Sequence, residues 1–251
     1  MRFDDLQLQI QNAKPLDFGT ILDQVIDLFK KIWLKGFLVI LLLVLVTLII
    51  TFLLSLIGLG PETITSDWYY EFNFFTYYQE NLISSLPQTI LLGSFTLGLV
   101  AGFYRTCKGV DHNTPVDDDL FYYFKGDHLR KVFMLGVIYA LIATIAQSLF
   151  FLPYIYVVVP LSFFSVIFAF NPELTELEIV KLSFNLGTKK WLLTFGLLVL
   201  TGIMGMLGAI ACGIGMLFTI SIAYLPVYFI YKNTIGFIEK SEIDEIGLLQ
   251  E

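Results

Sequence analysis

Residues 17–58 read DFGTILDQVIDLFKKIWLKGFLVILLLVLVTLIITFLLSLIG. The second half of this stretch, 36–58, carries 18 Leu, Ile, Val or Phe in 23 positions and no charge. As a helix it is about 34 Å long, enough for a hydrocarbon layer of about 30 Å. The first half has a different pattern. Phe18, Ile21, Leu22, Val25, Ile26, Phe29, Ile32 and Trp33 recur at i, i+3, i+4 and i+7, the spacing of an amphipathic helix. Asp17, Asp23 and Asp27 lie toward its start and Lys30, Lys31 and Lys35 at its end, an order that suits the helix dipole. The stretch therefore predicts a helix over 17–34 lying in a membrane interface, followed by a crossing.

Five further apolar blocks lie near 83–104, 132–152, 153–170, 191–210 and 213–232. Alternating sides across six crossings gathers 1–35, 105–131, 171–190 and 232–251 on one side. Those segments hold all fifteen Lys and Arg residues, and the one long loop opposite, 59–82, holds none. By the positive-inside rule the basic side is the cytoplasm, which places both termini there and the protein in a bacterial cytoplasmic (inner) membrane. Composition agrees: 57% of residues are apolar and 15% charged, far from a soluble domain. The net charge of −7 argues against a nucleic-acid partner. Residues 1–15 are polar and partly acidic, unlike a cleavable signal peptide, so the first helix is expected to remain as an anchor. Cys107 and Cys212 fall on opposite sides, which argues against a disulfide.

The pattern of 17–58 repeats downstream. Residues 171–190 read NPELTELEIVKLSFNLGTKK, with Asn171 as expected N-cap, Pro172 at the first helical position and Leu174, Leu177, Val180 or Lys181, and Phe184 along one face. Lys189, Lys190 and Trp191 then lead into a crossing, as Lys30, Lys31, Trp33 and Lys35 do earlier. Residues 115–131 form a weaker copy. The expected fold is all-α: one integral-membrane domain over 1–251, six transmembrane helices as three hairpins with cytoplasmic interfacial amphipathic helices, and parallel repeats over 17–104, 115–170 and 172–232. Pro153 is placed to begin the fourth crossing and Pro160 to kink it, and Pro87, Pro153, Pro160 and Pro226 are placed to open local kinks along a groove. Gly202, Gly205 and Gly208 recur at every third position of the last hairpin, a surface for close helix packing.

The loop 59–82 holds eight aromatics in eleven residues: Trp68, Tyr69, Tyr70, Phe72, Phe74, Phe75, Tyr77 and Tyr78. Such rings favour the headgroup region, so they read as an interfacial anchor, or alternatively as a lipid or partner surface. The basic and aromatic residues Lys30, Lys31, Trp33, Lys35, Lys189, Lys190 and Trp191 read as anchors at the inner interface. His112, His128, Cys107 and the run Asp117, Asp118, Asp119 match no zinc spacing, and Asp111-x-Asn113 departs from an EF-hand at Val116. The crossings hold no Asp, Glu, Lys, Arg or His, which counts against a proton- or ion-coupled carrier. Phosphate loop, nucleophile elbow and HExxH motifs are missing. No catalytic residue, metal or cofactor is expected.

The stretches DFGTILDQVIDLFKKIWLKGF and NPELTELEIVKLSFNLGTKKW resemble the membrane domain of the glycerophosphoryl diester phosphodiesterase family and related bacterial six-helix integral-membrane families. In fusion members the phosphodiesterase activity belongs to a separate soluble catalytic domain, so the resemblance implies a six-helix module, an association with lipid or envelope metabolism, and no catalytic residue. The leading expectation is a non-enzymatic membrane module, a scaffold or accessory subunit of a bacterial envelope complex, with membrane lipids and other envelope proteins as partners. The alternative is a protein that binds or translocates a lipid or small amphiphile, with a lateral opening lined by Gly, Ser, Thr and aromatic residues.

Overall fold

A computed structural model describes residues 3–59, 82, 84–114, 119–126, 128–149, 152–210 and 213–237. The described residues are helical with no strand. Six spans are long and apolar enough to cross a membrane: Phe18–Leu56, Leu86–His112, His128–Ser148, Leu152–Phe170, Trp191–Ile210 and Gly215–Thr234. The chain is a multi-pass, all-α membrane protein.

The helix α1 (Phe3–Gln11) precedes the first span and buries Leu6 and Ile10. The first span, α2 (Phe18–Leu56), is one helix of 39 residues, about 58 Å long. Asp17 caps it, accepting from the Thr20 amide at 2.8 Å. The sequence divides this region at Lys35, whereas the helix runs on unbroken. The reason is the continuity of its buried stripe: Ile21, Val25, Leu28 and Ile32 pass through Gly36 into Val39 and Ile40 on the same face. A glycine at this point costs about 1 kcal/mol of helix propensity. It is nonetheless required, because a Cβ on Gly36 would sit 2.2 Å from Ser221 Oγ.

The second span is α3 (Leu86–His112), with Pro87 in its first turn, and the third is α4 (His128–Ser148). Residues 119–126 between them form a turn with a single 3-10 helix, Tyr122–Phe124, rather than the amphipathic helix expected over 115–131. This turn tucks against glycines of α3. A Cβ on Gly98 would lie 2.6 Å from the Phe124 ring, and one on Gly102 would lie 2.5 Å from the Leu120 carbonyl oxygen. Inside, the Tyr123 hydroxyl donates to the Ala169 carbonyl.

The fourth span is broken into α5 (Leu152–Ser162) and α6 (Phe164–Phe170). Pro160 lacks an amide hydrogen and interrupts the ladder of α5, and the chain re-enters α6 after Phe163. The next helix, α7 (Glu176–Lys189), begins later than expected. Its N-cap is Thr175, in a reciprocal capping box with Glu178, and not Asn171. Asn171 instead is buried, donating to the Ile167 carbonyl at 3.1 Å and to the Tyr231 hydroxyl at 2.8 Å. The inward face also differs from the one expected: Ile179, Leu182 and Leu186 are buried, whereas Leu177 is 66% exposed. That face is set by Gly187, where α7 crosses so near the proline break that a Cβ would lie 2.6 Å from Pro160 Cα.

The last hairpin comprises α8 (Trp191–Met206), a 3-10 turn Leu207–Ile210, the short α9 (Gly215–Thr219), a 3-10 stretch Ile220–Tyr224, and α10 (Leu225–Thr234). Gly205 and Gly208 are spent within this hairpin, against Ile220 and against Thr219 and Gly215, whereas Gly202 meets nothing within 4 Å.

Every charged residue and histidine among the described positions lies in 3–35, 105–131, 172–190 or at 232. The structure brings these segments together at one end of the bundle. Lys131 Nζ donates to the Pro172 and Leu174 carbonyls at 2.6 and 2.7 Å. Lys189 donates to the carbonyl of Gln11, the last residue of α1, and Lys190 to that of Lys14 just beyond it. Asn233 Nδ2 reaches Gln24 Oε1 at 3.1 Å, and Lys232 pairs with Asp111. This is the basic end; the other is the far end.

Candidate functional site

At mid-height in the bundle, α3 packs on α2, α4 and α6, while α8 packs on the 220–224 stretch. Extensive packing of α3 on α8 or α9 is missing among the described residues. A cavity of about 610 Å³ occupies the space left between them. Its wall comes from five spans: Thr89, Gly93 and Thr96 on α3, Tyr139 on α4, Ser162 and Ser165 across the α5–α6 break, Leu198 on α8, and Ala223 and Tyr224 before α10.

The backbone explains why the opening is here. Both interrupted spans line it, one at the Pro160 break and one at the 3-10 stretch that precedes Pro226. Irregular backbone at membrane depth persists only where protein buries it or where it borders a cavity. The polar groups freed by the breaks are satisfied locally. Pro160 leaves the Tyr156 carbonyl without its i+4 donor, and the Trp191 indole N–H supplies one at 2.9 Å while its ring stacks on Tyr156. At the other break Pro226 denies the Ile222 carbonyl its i+4 donor and the Leu225 amide serves it instead, while the Tyr104 hydroxyl ties the stretch to α3 by donating to the Tyr224 carbonyl at 3.0 Å.

The cavity is lined by apolar groups and hydroxyls alone. Thr89 and Ser162 donate to their own helix, at Ser85 and Val159. The Tyr139 ring packs beside Gly93, where an added Cβ would lie 3.4 Å from Tyr139 Cδ1. Thr96, Ser165 and the Tyr224 phenol line the space with no side-chain hydrogen bond to another described residue. The nearest charge in sequence, Arg105, is turned away, its guanidinium carbon 3.7 Å above the Tyr122 ring.

The residues singled out from sequence are dispersed. The aromatic cluster Trp68, Tyr69, Tyr70, Phe72, Phe74, Phe75, Tyr77 and Tyr78 lies outside the described residues, as does Cys212. Lys30 pairs with Asp27 at 3.0 Å on an exposed surface, Lys31 is exposed, Lys35 is half-buried, and Trp33 tilts against Phe218. Lys189, Lys190 and Trp191 act on backbone carbonyls, as above. Burial, then the neighbouring Lys189, pulls the Lys190 ammonium below the ordinary lysine range. Asp119 is held below the usual carboxylate range, first by its hydrogen bond with Lys125. His112 lies edge-on to Phe237, His128 is packed among Tyr122, Tyr123 and Phe168, and Cys107 is buried. Among the described residues no three of His, Cys, Asp and Glu converge on one point.

Sequence reasoning expected an opening of Gly, Ser, Thr and aromatic residues; such residues make up about half of this wall, aliphatic side chains the rest, and its members were not singled out. It missed Tyr104, Tyr139, Tyr224, Thr96 and Ser165. The signal available was local: Pro160 is followed closely by Ser162 and Ser165, and Pro226 is preceded by Tyr224. Comparison with family models, curated proteins and solved structures returned no match.

Proposed function

We propose that the chain is a non-enzymatic protein of a bacterial cytoplasmic membrane that binds a lipid or small amphiphile within the bundle. The observation that carries this reading is the cavity bordered by two proline-interrupted spans. Broken helices meeting at mid-depth are how membrane proteins build binding sites within the bilayer. A volume of about 610 Å³ lies within the range for sites that hold one small ligand. The resemblance to the membrane domain of the glycerophosphoryl diester phosphodiesterase family points the same way, toward lipid chemistry. The clustering of basic residues at the end that carries the N-terminus supports cytoplasmic termini.

Native mass spectrometry after mild detergent extraction tests the proposal. One amphiphile per chain is the expected result, lost when Leu198→Trp fills the cavity. Lipid-free protein that recovers no ligand from a total membrane extract overturns it.

The scaffold reading takes second place. It is favoured by the exposed Leu8 and Leu177 on helices of the basic end, surfaces a partner protein would cover. A co-purifying partner released by Leu177→Asp would establish it.

A further inference from the structure

We infer that the cavity selects an uncharged, hydroxyl-headed single-chain amphiphile and rejects the same chain bearing an anionic head. This rests on the binding reading above and deepens it.

Three observations converge. The lining contains no Asp, Glu, Lys, Arg or His, and Arg105, one residue beyond Tyr104, is engaged by Tyr122 outside the cavity. An anionic head drawn into this space would lose its water and gain no countercharge, a heavy desolvation cost. A neutral head does not face that cost.

The wall also offers a particular kind of polarity. Thr96, Ser165 and Tyr224 present hydroxyls that have no side-chain hydrogen bond to another described residue, so each can both donate and accept. Thr89 and Ser162 have committed their hydrogens to backbone carbonyls and offer lone pairs only. The wall therefore holds more acceptor sites than donor hydrogens. A ligand that must donate as well as accept completes it, and a hydroxyl does both. An ionised phosphate or carboxylate only accepts, and leaves the committed pair unmatched.

The remaining lining, including Leu92, Leu97, Val100 and Leu198, suits a hydrocarbon chain. A volume of about 610 Å³ matches one chain with a small head and leaves little room for a second.

The test compares 1-monooleoylglycerol with oleoyl-lysophosphatidate, which share a chain and differ at the head. Retention of each radiolabelled probe by the full chain in neutral detergent is measured at pH 7.5. The monoacylglycerol is expected to bind at least about tenfold more tightly. The near-isosteric double variant Thr96→Val/Ser165→Ala is expected to lower that preference severalfold while keeping the cavity open. Leu198→Trp should abolish retention of both; if it fails to fold, Ala223→Leu makes a smaller intrusion on the same wall. Equal or tighter retention of the lysophosphatidate, lost on filling the cavity, overturns the selectivity and leaves the binding reading intact. Retention of neither probe, or retention indifferent to a filled cavity, overturns both.

Discussion

Lys232 Nζ lies 2.6 Å from Asp111 Oδ2, joining the last helix to the end of α3 across 121 positions of sequence. The same carboxylate oxygen accepts from the Tyr228 hydroxyl at 2.8 Å. Both charged side chains are largely shielded, at 28% and 17% exposure, so the pair escapes most of the screening that weakens surface ion pairs. Removing the acceptor strands two donors, whereas removing the lysine strands none. Asp111→Ala is therefore expected to destabilise the protein by about 1–3 kcal/mol, and Lys232→Met by less. Thermal unfolding in detergent checks the order, and a larger loss for Lys232→Met would contradict it.

The contact between α3 and α4 is set by backbone clearance. A Cβ at Gly136 would lie 1.9 Å from Ser94 Oγ and 2.8 Å from Ser94 Cα. Gly136→Ala should cost about 1–3 kcal/mol through overpacking. Ser94→Ala should not rescue it, since the clash with Cα remains. Gly202→Ala, with nothing within 4 Å, is expected to be neutral or stabilising by up to about 1 kcal/mol. Unfolding midpoints of Gly136→Ala, Gly136→Ala/Ser94→Ala and Gly202→Ala decide the matter.

Trp191 and Pro160 are coupled through one carbonyl. Trp191→Phe keeps an aromatic ring beside Tyr156 but removes the N–H that satisfies Tyr156 O. The expected cost is about 1–3 kcal/mol. In a Pro160→Ala background the chain regains an amide able to serve that carbonyl, so the same substitution should cost less. A double-mutant cycle measures the coupling, and strictly additive effects would exclude it.

The start of α7 carries a pH dependence. Hydrogen bonds from the Thr175 hydroxyl, then from its amide, hold Glu178 below its ordinary range. An unfolded glutamate titrates at about 4.3. A depressed folded value means that the contribution to stability is complete above that point and is lost as pH falls through the lower folded value. Protection factors of the amides over 176–180, each taken against the intrinsic exchange rate at the same pH, should therefore fall on acidification below about pH 4. Thr175→Ala should raise the Glu178 pKa and cost about 0.5–2 kcal/mol. Unchanged protection factors between pH 6 and pH 3 would contradict the assignment.

Much of the architecture was legible because lipid imposes a simple rule: uncharged stretches of about twenty residues must cross. All six spans follow from it, to within a few residues at most ends. Where reading and structure diverge, tertiary contacts decided. Lys35 and Gly36 read as a boundary, yet the buried stripe of α2 continues through them to meet Ser221. The helix α1 went unread because its segment is polar on average, although Phe3, Leu6 and Ile10 already have helical spacing. The face of α7 was misjudged because Leu177 and Ile179 are comparably apolar, and only the crossing over Pro160 distinguishes them. The cavity was half visible. Pro160 and Pro226 marked where two spans bend, but the gap itself depends on which helices stay apart, and no local pattern encodes that.

The length of α2 has a consequence for biosynthesis. About 58 Å of helix cannot fit inside a hydrocarbon layer of about 30 Å, so its first half needs protein neighbours rather than lipid. Among those neighbours is α10, whose Asn233 reaches back to Gln24 across 209 residues. At ribosomal speed that partner arrives on the order of 10–40 s after Gln24 is made. Through that interval α2 waits with its apolar stripe incompletely covered, and this part of the bundle can close only once α10 has been made.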